Sequence, residues 1–165
     1  MIVNIHGSCV IVGRAGEPFG APADTGVLLL GESGAGKSDL ALRLVALGAI
    51  LVADDRCDLF VSGGALRARA PGSIRGLMEV RGVGLVRLPC RAEACIGLVV
   101  RFVSSAVIAR LPEPTRYRPP VELDAPETVW PPEIALAPFE PSAPAKTLAA
   151  AAMFSAERAT VVPRG

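Results

Sequence analysis

The sequence lacks the features that mark secreted, membrane-spanning and nucleic-acid-binding proteins. Its first basic residue is Arg14, so the N-terminus has no charged region of a secretory signal, and no apolar run approaches the roughly 18 residues of a membrane span. The net charge is only +1, and the basic residues are scattered. This balance argues against nucleic acid and anionic membranes as main partners. We expect a cytoplasmic protein.

Histidine and lysine are also scarce. The single histidine, His6, is not placed as a zinc partner of the four cysteines, and no two cysteines have CxxC spacing. We therefore predict reduced, mostly buried thiols and no zinc site. Fifteen of the 17 basic residues are arginine, so Lys37 and Lys146 stand out as the two lysines of the chain.

A length of 165 residues favours one domain with a real hydrophobic core. We divide this expected domain, 1–165, into a core over 1–110, a loop region over 111–144 and a C-terminal helix over 145–156. Ten of the 15 prolines fall in the loop region, and proline removes backbone donors from helices and sheets. The Ala-rich helix suits core packing and subunit contacts equally well.

Strand patterns dominate the first 110 residues. Leu40, Leu44 and Leu47 recur at helical spacing after Lys37, and this predicts a single helix that ends at Gly48. Residues 2–12 predict one strand and residues 13–25 a long turn. Further strands are predicted at 26–30, 50–53, 56–62, 66–70, 77–81, 84–88 and 95–103. The fold class is therefore α/β, leaning to α+β, with few helices.

The stretch GESGAGKS fits the phosphate-binding pattern G-x-x-x-x-G-K-[ST]. It follows an apolar strand and opens the predicted helix, where backbone N–H groups and the helix N-terminus attract phosphate. Lys37 would reach the β- and γ-phosphates, and the Ser38 hydroxyl would bind Mg²⁺. An incidental glycine-rich turn is the alternative. The predicted nucleotide-binding residues are Gly31, Glu32, Ser33, Gly34, Ala35, Gly36, Lys37 and Ser38.

Asp54 and Asp55 end the apolar run ILVA. In P-loop folds, an acidic residue at the end of a neighbouring strand lies beside the metal and the γ-phosphate. One carboxylate would then serve the metal and the other would accept a proton from an attacking hydroxyl. The alternative is a solvated strand end or a turn that begins at Asp54. Taken alone, His6 is more typical of a structural histidine, and Glu79 carries little information.

Three segments together resemble the catalytic domain of bacterial HPr kinase/phosphorylase, which phosphorylates a serine of the phosphocarrier protein HPr. They are GESGAGKSDLALRLVALGAILVADDRCDL, MEVRGVGLV and the IHG near the N-terminus. The resemblance covers most of residues 4–90. It implies a P-loop architecture with mixed, strongly bent sheets, related to phosphoenolpyruvate carboxykinase.

The resemblance also implies roles for individual residues. Lys37 would bind the phosphates of ATP, Ser38 and Glu79 would hold Mg²⁺, and Asp55, with Asp54 beside it, would be the general base. His6 becomes a predicted catalytic residue near that base. The implied partners are an HPr-like phosphocarrier and further copies of the chain in a hexamer.

The sequence departs from the family at both ends. The chain begins almost at His6, which suggests a short form without the N-terminal domain, similar to those of alphaproteobacteria. The turn over 14–25 is longer than usual. The family's Pro-x-x-Pro-Gly-Arg loop is matched only by PSAPAK, with Lys146 in place of an arginine, so the reverse phosphorylase reaction is in doubt. Three candidates remain for a further catalytic arginine: Arg110, Arg116 and Arg118.

The sequence thus predicts an ATP- and Mg²⁺-dependent serine kinase that acts on HPr or a nitrogen-type paralogue and regulates the phosphotransferase system and carbon metabolism. Two alternatives stay open. One is a small-molecule kinase or nucleotide hydrolase, although the proline-rich region is poorly suited to a helical lid. The other is a noncatalytic, nucleotide-dependent regulator.

Overall fold

The computed structural model describes residues 1–160, so the predicted bound at residue 165 lies outside the described residues. A mixed set of strands and two α-helices builds this part of the chain. The helices are α1, Lys37–Ala46, and α2, Ala143–Thr160. The strands are β1 Val3–His6, β2 Ser8–Ile11, β3 Gly26–Leu30, β4 Ile50–Ala53, β5 Arg56–Ser62, β6 Ala65–Arg69, β7 Leu77–Val80, β8 Gly84–Arg87, β9 Ala94–Phe102, β10 Thr115–Arg116 and β11 Pro132–Leu136.

One mixed sheet carries nine of these strands, in the order β1-β5-β6-β9-β3-β2-β4, with β11 paired to β9 and β10 paired to β11. Strand β9 is parallel to β3 and β11 but antiparallel to β6. Strands β7 and β8 form a separate hairpin. The predicted architecture of mixed, bent sheets with few helices is confirmed.

The prediction of a single strand over 2–12 is wrong, because Gly7 separates two strands that pair with different neighbours. Strand β1 pairs with β5, whereas β2 lies between β3 and β4. A Cβ atom at Gly7 would lie only 3.1 Å from Leu30 Cδ2 and 3.2 Å from the Leu29 carbonyl oxygen. Glycine therefore lets the chain pass close to β3 as it moves from one part of the sheet to the other.

Two hydrophobic clusters lie on the two faces of the bent sheet. The first packs both helices against one face, with Leu40 and Leu44 of α1 and Leu148 of α2 beside Val27 and Leu98 of the sheet. The second lies within the bend. It joins β2, β3 and β4 to β5 and β6 through Cys9, Leu28, Val52, Leu59 and Leu66. Burial on both faces explains why β3 reads GVLLL, with no alternation of polar residues.

Three regions differ from the sequence prediction. The expected turn over 13–25 contains a 3₁₀ helix, Gly13–Phe19. The proline-rich region contains β11, which begins at Pro132, the position in a strand where proline is tolerated. Helix α2 begins at Ala143, earlier than predicted, and buries Leu148 and Ala151 in the core. Among the described residues, neither helix has the length and apolar character that crossing a bilayer requires.

Candidate active site

The predicted phosphate-binding loop connects β3 to α1, and Lys37 is the first residue of that helix. The Lys37 side chain is buried and turns back toward the loop. Its Nζ donates hydrogen bonds of 2.8 Å to the carbonyl oxygens of both Gly31 and Glu32. Burial lowers the pKa of Lys37, against the opposing effects of Asp55 and Asp54. The ammonium group thus lies in the loop with two carboxylates near it, a setting that a phosphate would complete.

Gly36 precedes Lys37 with a φ of +100°, in the left-handed region that favours glycine. A Cβ atom here would lie 2.8 Å from Cζ of Phe139. The glycine therefore allows both the turn into α1 and the close approach of the Phe139 ring. The glycine that the pattern requires before the lysine is therefore also required by the backbone conformation and the packing at this position.

Asp54 follows β4 and is buried, with a relative exposure of 6%. Its Oδ1 accepts a 2.7 Å hydrogen bond from the Ser38 hydroxyl and a 2.8 Å hydrogen bond from the Ser8 hydroxyl. Ser8 reaches Asp54 because β2 lies between β4 and β3, the strand that precedes the phosphate-binding loop. Ser8 was not predicted from the sequence. The available signal was a polar residue at the start of an apolar strand, SCVI.

Asp55 lies beside Asp54 but points outward, with 67% of its side chain exposed. Its φ of +66° is unusual outside glycine, although Asp and Asn are enriched there. His6 Nδ1 lies 2.7 Å from the Asp55 carbonyl oxygen and 3.4 Å from Asp55 Oδ1. Because a carbonyl only accepts, Nδ1 is the protonated ring nitrogen that donates. The structure thus brings His6 to Asp55. The backbone N–H of Asp55 in turn donates a 3.3 Å hydrogen bond to the Ser8 hydroxyl.

Glu79 is the predicted residue that the structure leaves apart from this group. It is exposed on β7, opposite Leu85 of β8, while Met78 next to it is buried against α1. No hydrogen bond or ion pair joins Glu79 to Ser38 among the described residues. No group of three His, Cys, Asp or Glu side chains within residues 1–160 is placed to hold a metal. Metal binding by Ser38 and Glu79 stays a prediction.

The oxygens of Ser38 and Asp54 nevertheless suit Mg²⁺. This ion prefers oxygen ligands and is usually held by one or two carboxylates together with waters and substrate phosphates, so a cluster of three carboxylates is not required. The Asp54 carboxylate already lies against the Ser38 hydroxyl. Ser38 and Asp54 therefore fit the ion that the phosphate-binding loop implies.

A cleft of about 390 Å³ opens beside the loop, and Arg101 lies in its wall. Arg101 is opposite Leu30, the last residue of β3, and its Nε donates a 3.0 Å hydrogen bond to Glu133 of β11. That hydrogen bond is the main reason that the pKa of Arg101 is raised. His6, Gly31 and Glu32 line the same cleft. Arg101 was not predicted from the sequence, because its position depends on the pairing of β9 with β3.

The three arginine candidates of the sequence have other surroundings. Arg116 donates a 2.8 Å hydrogen bond to the Trp130 carbonyl oxygen, and the Arg118 guanidinium lies 5.7 Å from the centre of the Trp130 ring. Arg110 is exposed. Lys146, in the PSAPAK segment, forms a 2.8 Å ion pair with Glu140. Among the described arginines, Arg101 is the one that lines the cleft beside His6.

Comparison with known proteins shows where this chain is similar to others. Residues 19–92 match the family described as HPr Serine kinase C-terminal domain. The HPr kinase/phosphorylase of Leptothrix cholodnii is 43% identical over 102 residues, which cover 57% of this chain and 31% of that protein. The HPr kinase/phosphorylase of Caldicellulosiruptor bescii is 55% identical over 62 residues, or 37% of this chain and 20% of that protein. The chain thus spans a third or less of these relatives.

A solved structure matches almost the whole chain. It is described as the Hpr(Ser) kinase/phosphatase from Coxiella burnetii, with a TM-score of 0.67 and 20% sequence identity. The match covers 96% of this chain and 97% of that one. The resemblance predicted from the sequence is therefore confirmed: residues 19–92 match the HPr serine kinase C-terminal domain, and the chain has the fold of an HPr kinase/phosphatase.

Proposed function

We propose that this protein is an ATP- and Mg²⁺-dependent kinase that phosphorylates a serine of an HPr-like phosphocarrier. One observation carries the proposal: the phosphate-binding loop with Lys37 lies in the same region as Asp54, which accepts a hydrogen bond from Ser38, and Asp55, which His6 contacts. A P-loop alone indicates phosphate binding. The exposed Asp55, held by His6 at the mouth of that region, adds a group that can take a proton from an incoming hydroxyl.

In the proposed reaction, the serine hydroxyl oxygen forms a bond to the γ-phosphorus as the bond from phosphorus to the β,γ-bridging oxygen breaks. The hydroxyl proton passes to Asp55, phosphoserine forms and ADP leaves. Lys37 stabilises the negative charge on the phosphate oxygens during the transfer. His6 donates to the Asp55 carbonyl oxygen and thereby limits the orientations of Asp55. The exposed position of Asp55 suits a protein substrate, which must reach the base from solvent.

Ser38 and Asp54 would hold the magnesium ion, with Glu79 as the further ligand that the family resemblance implies. When bound, the ion neutralises charge on the β- and γ-phosphates. Ser8 keeps the buried Asp54 carboxylate directed at Ser38 through its own hydrogen bond. The burial of Asp54 against Ser38 and the exposure of Asp55 support a metal-binding role for Asp54 and the role of general base for Asp55.

Two remaining expectations come from the composition of the sequence and are proposals as well: the division into a core, a proline-rich region and a C-terminal helix, and a cytoplasmic location. Two others rest on the family resemblance: regulation of the phosphotransferase system and carbon metabolism, and assembly into a hexamer. Lys146 of the PSAPAK segment stands where the family has an arginine in its phosphorylase loop, and it forms an ion pair with Glu140. We therefore expect weak or absent reversal by inorganic phosphate. Light scattering of the purified protein tests the hexamer.

The decisive test incubates the purified protein with ATP, Mg²⁺ and the HPr-like proteins of its own organism. Mass analysis of each carrier should find one added phosphate on a serine. Transfer to a metabolite, with none to any carrier, would replace this proposal by a small-molecule kinase. Tight ATP binding without turnover would replace it by a noncatalytic regulator.

A further inference from the structure

Phe139 is an exposed aromatic residue beside the phosphate-binding loop, and nothing in the proposed reaction uses it. Its relative exposure is 68%, yet its ring edge contacts Gly36 at the start of α1. A phenylalanine this exposed contributes little to the hydrophobic stabilisation of the fold. Its position next to the residues that bind phosphate calls for another explanation.

Arg43 of α1 fixes the backbone on both sides of Phe139. The guanidinium donates hydrogen bonds to the carbonyl oxygens of Pro138 and Glu140, and an ion pair of 3.0 Å with Asp39 holds it in place. Each end of this short segment is thus tied to the helix that begins at Lys37. The ring is presented at a defined place, which lowers the entropy cost of stacking a ligand on it.

The ring forms one wall of a cleft of about 330 Å³ next to the loop, within the roughly 300–1,000 Å³ of small-ligand sites. Phe102 lies in the same cleft, together with the small apolar side chains of Ala35 and Pro138. Polar side chains are few there, chiefly Glu32 and Ser104. This composition suits a flat aromatic ligand that is held mainly by stacking, with few specific hydrogen bonds.

The cleft of about 390 Å³ that contains His6, here called the His6 cleft, shares Glu32 and Phe102 with the cleft beside Phe139. The His6 cleft lies on the acceptor side, since it contains the histidine that bonds Asp55. A nucleotide with its phosphates in the loop and its γ-phosphate toward Asp55 must place its base elsewhere. The Phe139 cleft, which includes Ala35 of the loop itself, offers the adjoining space.

We propose that the cleft between Phe102 and Phe139 binds the nucleobase, with the base stacked on the Phe139 ring. This inference rests on the proposed use of ATP and adds the residues that hold the base. Stacking of a base on an aromatic side chain is worth about 1–3 kcal/mol and tolerates different bases, because every base has a π-face. Phe139 therefore contributes to nucleotide affinity and leaves phosphate affinity unchanged.

The test compares ADP with pyrophosphate, which has phosphates but no base, by calorimetric titration in the presence of Mg²⁺ and without any carrier protein. Phe139→Ala should weaken ADP binding by about tenfold, a factor that lies at the lower end of the stacking range. Its affinity for pyrophosphate should stay within about twofold of the unchanged protein. Phe139→Trp should restore ADP binding, because it restores the aromatic surface.

Phe19→Ala is the matched control, since Phe19 is also exposed, at 41%, but lies in the 3₁₀ helix before β3. It should leave both affinities unchanged. Equal losses of ADP and pyrophosphate affinity in Phe139→Ala would overturn the inference, because the ring would then only shape the loop. Unchanged ADP affinity would overturn it as well.

The kinase proposal fails separately. A protein that binds ADP through Phe139 but transfers no phosphate to a carrier would keep this inference and lose the proposed function. A protein that phosphorylates the carrier with an unchanged KM for ATP in Phe139→Ala would keep the function and lose this inference. Both assays use the whole chain.

Discussion

Ser8 and Asp54, separated by 46 positions in the sequence, share a buried hydrogen bond of 2.8 Å. The same Asp54 oxygen accepts a 2.7 Å hydrogen bond from the Ser38 hydroxyl, so one carboxylate oxygen joins β2 to the end of the phosphate-binding loop. A buried carboxylate needs such donors, because burial of an ion without partners is costly. The hydrogen bond from Ser8 therefore offsets part of the free-energy cost of burying the Asp54 carboxylate.

Ser8→Ala should destabilise the protein and reduce phosphate transfer. Loss of a buried hydrogen bond to a charged group should lower the free energy of unfolding by about 2 kcal/mol. Urea denaturation measures this change. The matched control is Ser62→Ala at the exposed end of β5, which should change the free energy by less than about 0.5 kcal/mol. A loss in Ser8→Ala no larger than in the control would show that Ser8 does not support Asp54.

Asp55→Asn should abolish transfer and leave ADP binding nearly intact. Loss of a general base should lower the rate by at least about 100-fold. Asparagine is the suitable replacement because, like aspartate, it tolerates a φ of +66°. Transfer to the carrier protein and calorimetric ADP binding are the two measurements.

Asp55→Ala separates chemistry from backbone strain. It removes the carboxylate as well but should cost about 1 kcal/mol more stability than Asp55→Asn, because alanine disfavours the left-handed region. A near-normal rate in Asp55→Asn would remove Asp55 from the role of base. Equal stability of the two variants would show that the backbone relaxes here.

Gly36→Ala should destabilise the loop through two separate effects. The φ of +100° is unfavourable for alanine, and the new Cβ would meet the Phe139 ring at 2.8 Å. We expect a cost of about 2 kcal/mol in urea denaturation. Gly34→Ala provides the comparison, because Gly34 has a φ of +78° and no atom near its Cβ position.

A double-mutant cycle divides the two effects. In a Phe139→Ala background, Gly36→Ala should cost less, because the contact with the ring is gone and only the backbone effect remains. An equal cost in both backgrounds would mean that the ring moves aside freely.

The buried thiols of Cys9 and Cys57 should make stability fall at alkaline pH. Burial raises the pKa of Cys9 from 9.0 to about 12 and raises that of Cys57 as well. The folded state thus keeps protons that the unfolded state loses above pH 9. This contribution is fully present below the unfolded pKa and is lost as the pH rises from 9 toward 12.

Cys9→Ala isolates the thiol effect, because the lowered pKa of Lys37 acts in the opposite direction over a similar range. The unfolding free energy of Cys9→Ala should decline less between pH 9 and 12 than that of the unchanged protein. An identical decline would rule out Cys9 as a source. Alkylation of the native protein should modify Cys90 and Cys95, which are partly exposed, before Cys9 and Cys57.

Local patterns predicted the part of the site that lies within one stretch of chain. The P-loop motif, the helical spacing of Leu40 and Leu44, and the run ending in Asp54 predicted β3, α1 and β4 closely. Each depends on residues near one another in sequence. The position of His6 beside Asp55 came from family resemblance, since a lone histidine in a strand has no local signal.

The missed site residues and the missed break between β1 and β2 depend on pairing between distant segments. Ser8 joins the site because β2 inserts beside β3, and Arg101 because β9 pairs with it in a particular register. The break at Gly7 was invisible because alternation along a strand does not say which neighbours the strand has. Strand β11 was hidden by prolines, of which only Pro132 lies within it, at its first residue.

Because β2 separates β3 from β4, the strand–loop–helix–strand unit over 26–53 cannot complete its own sheet. In the folded protein, residues 8–11 pair with both strands and so join the phosphate-binding loop to Asp54. Such pairing between distant segments slows folding. ADP binding should therefore appear only in the last phase of refolding, after α1 has formed.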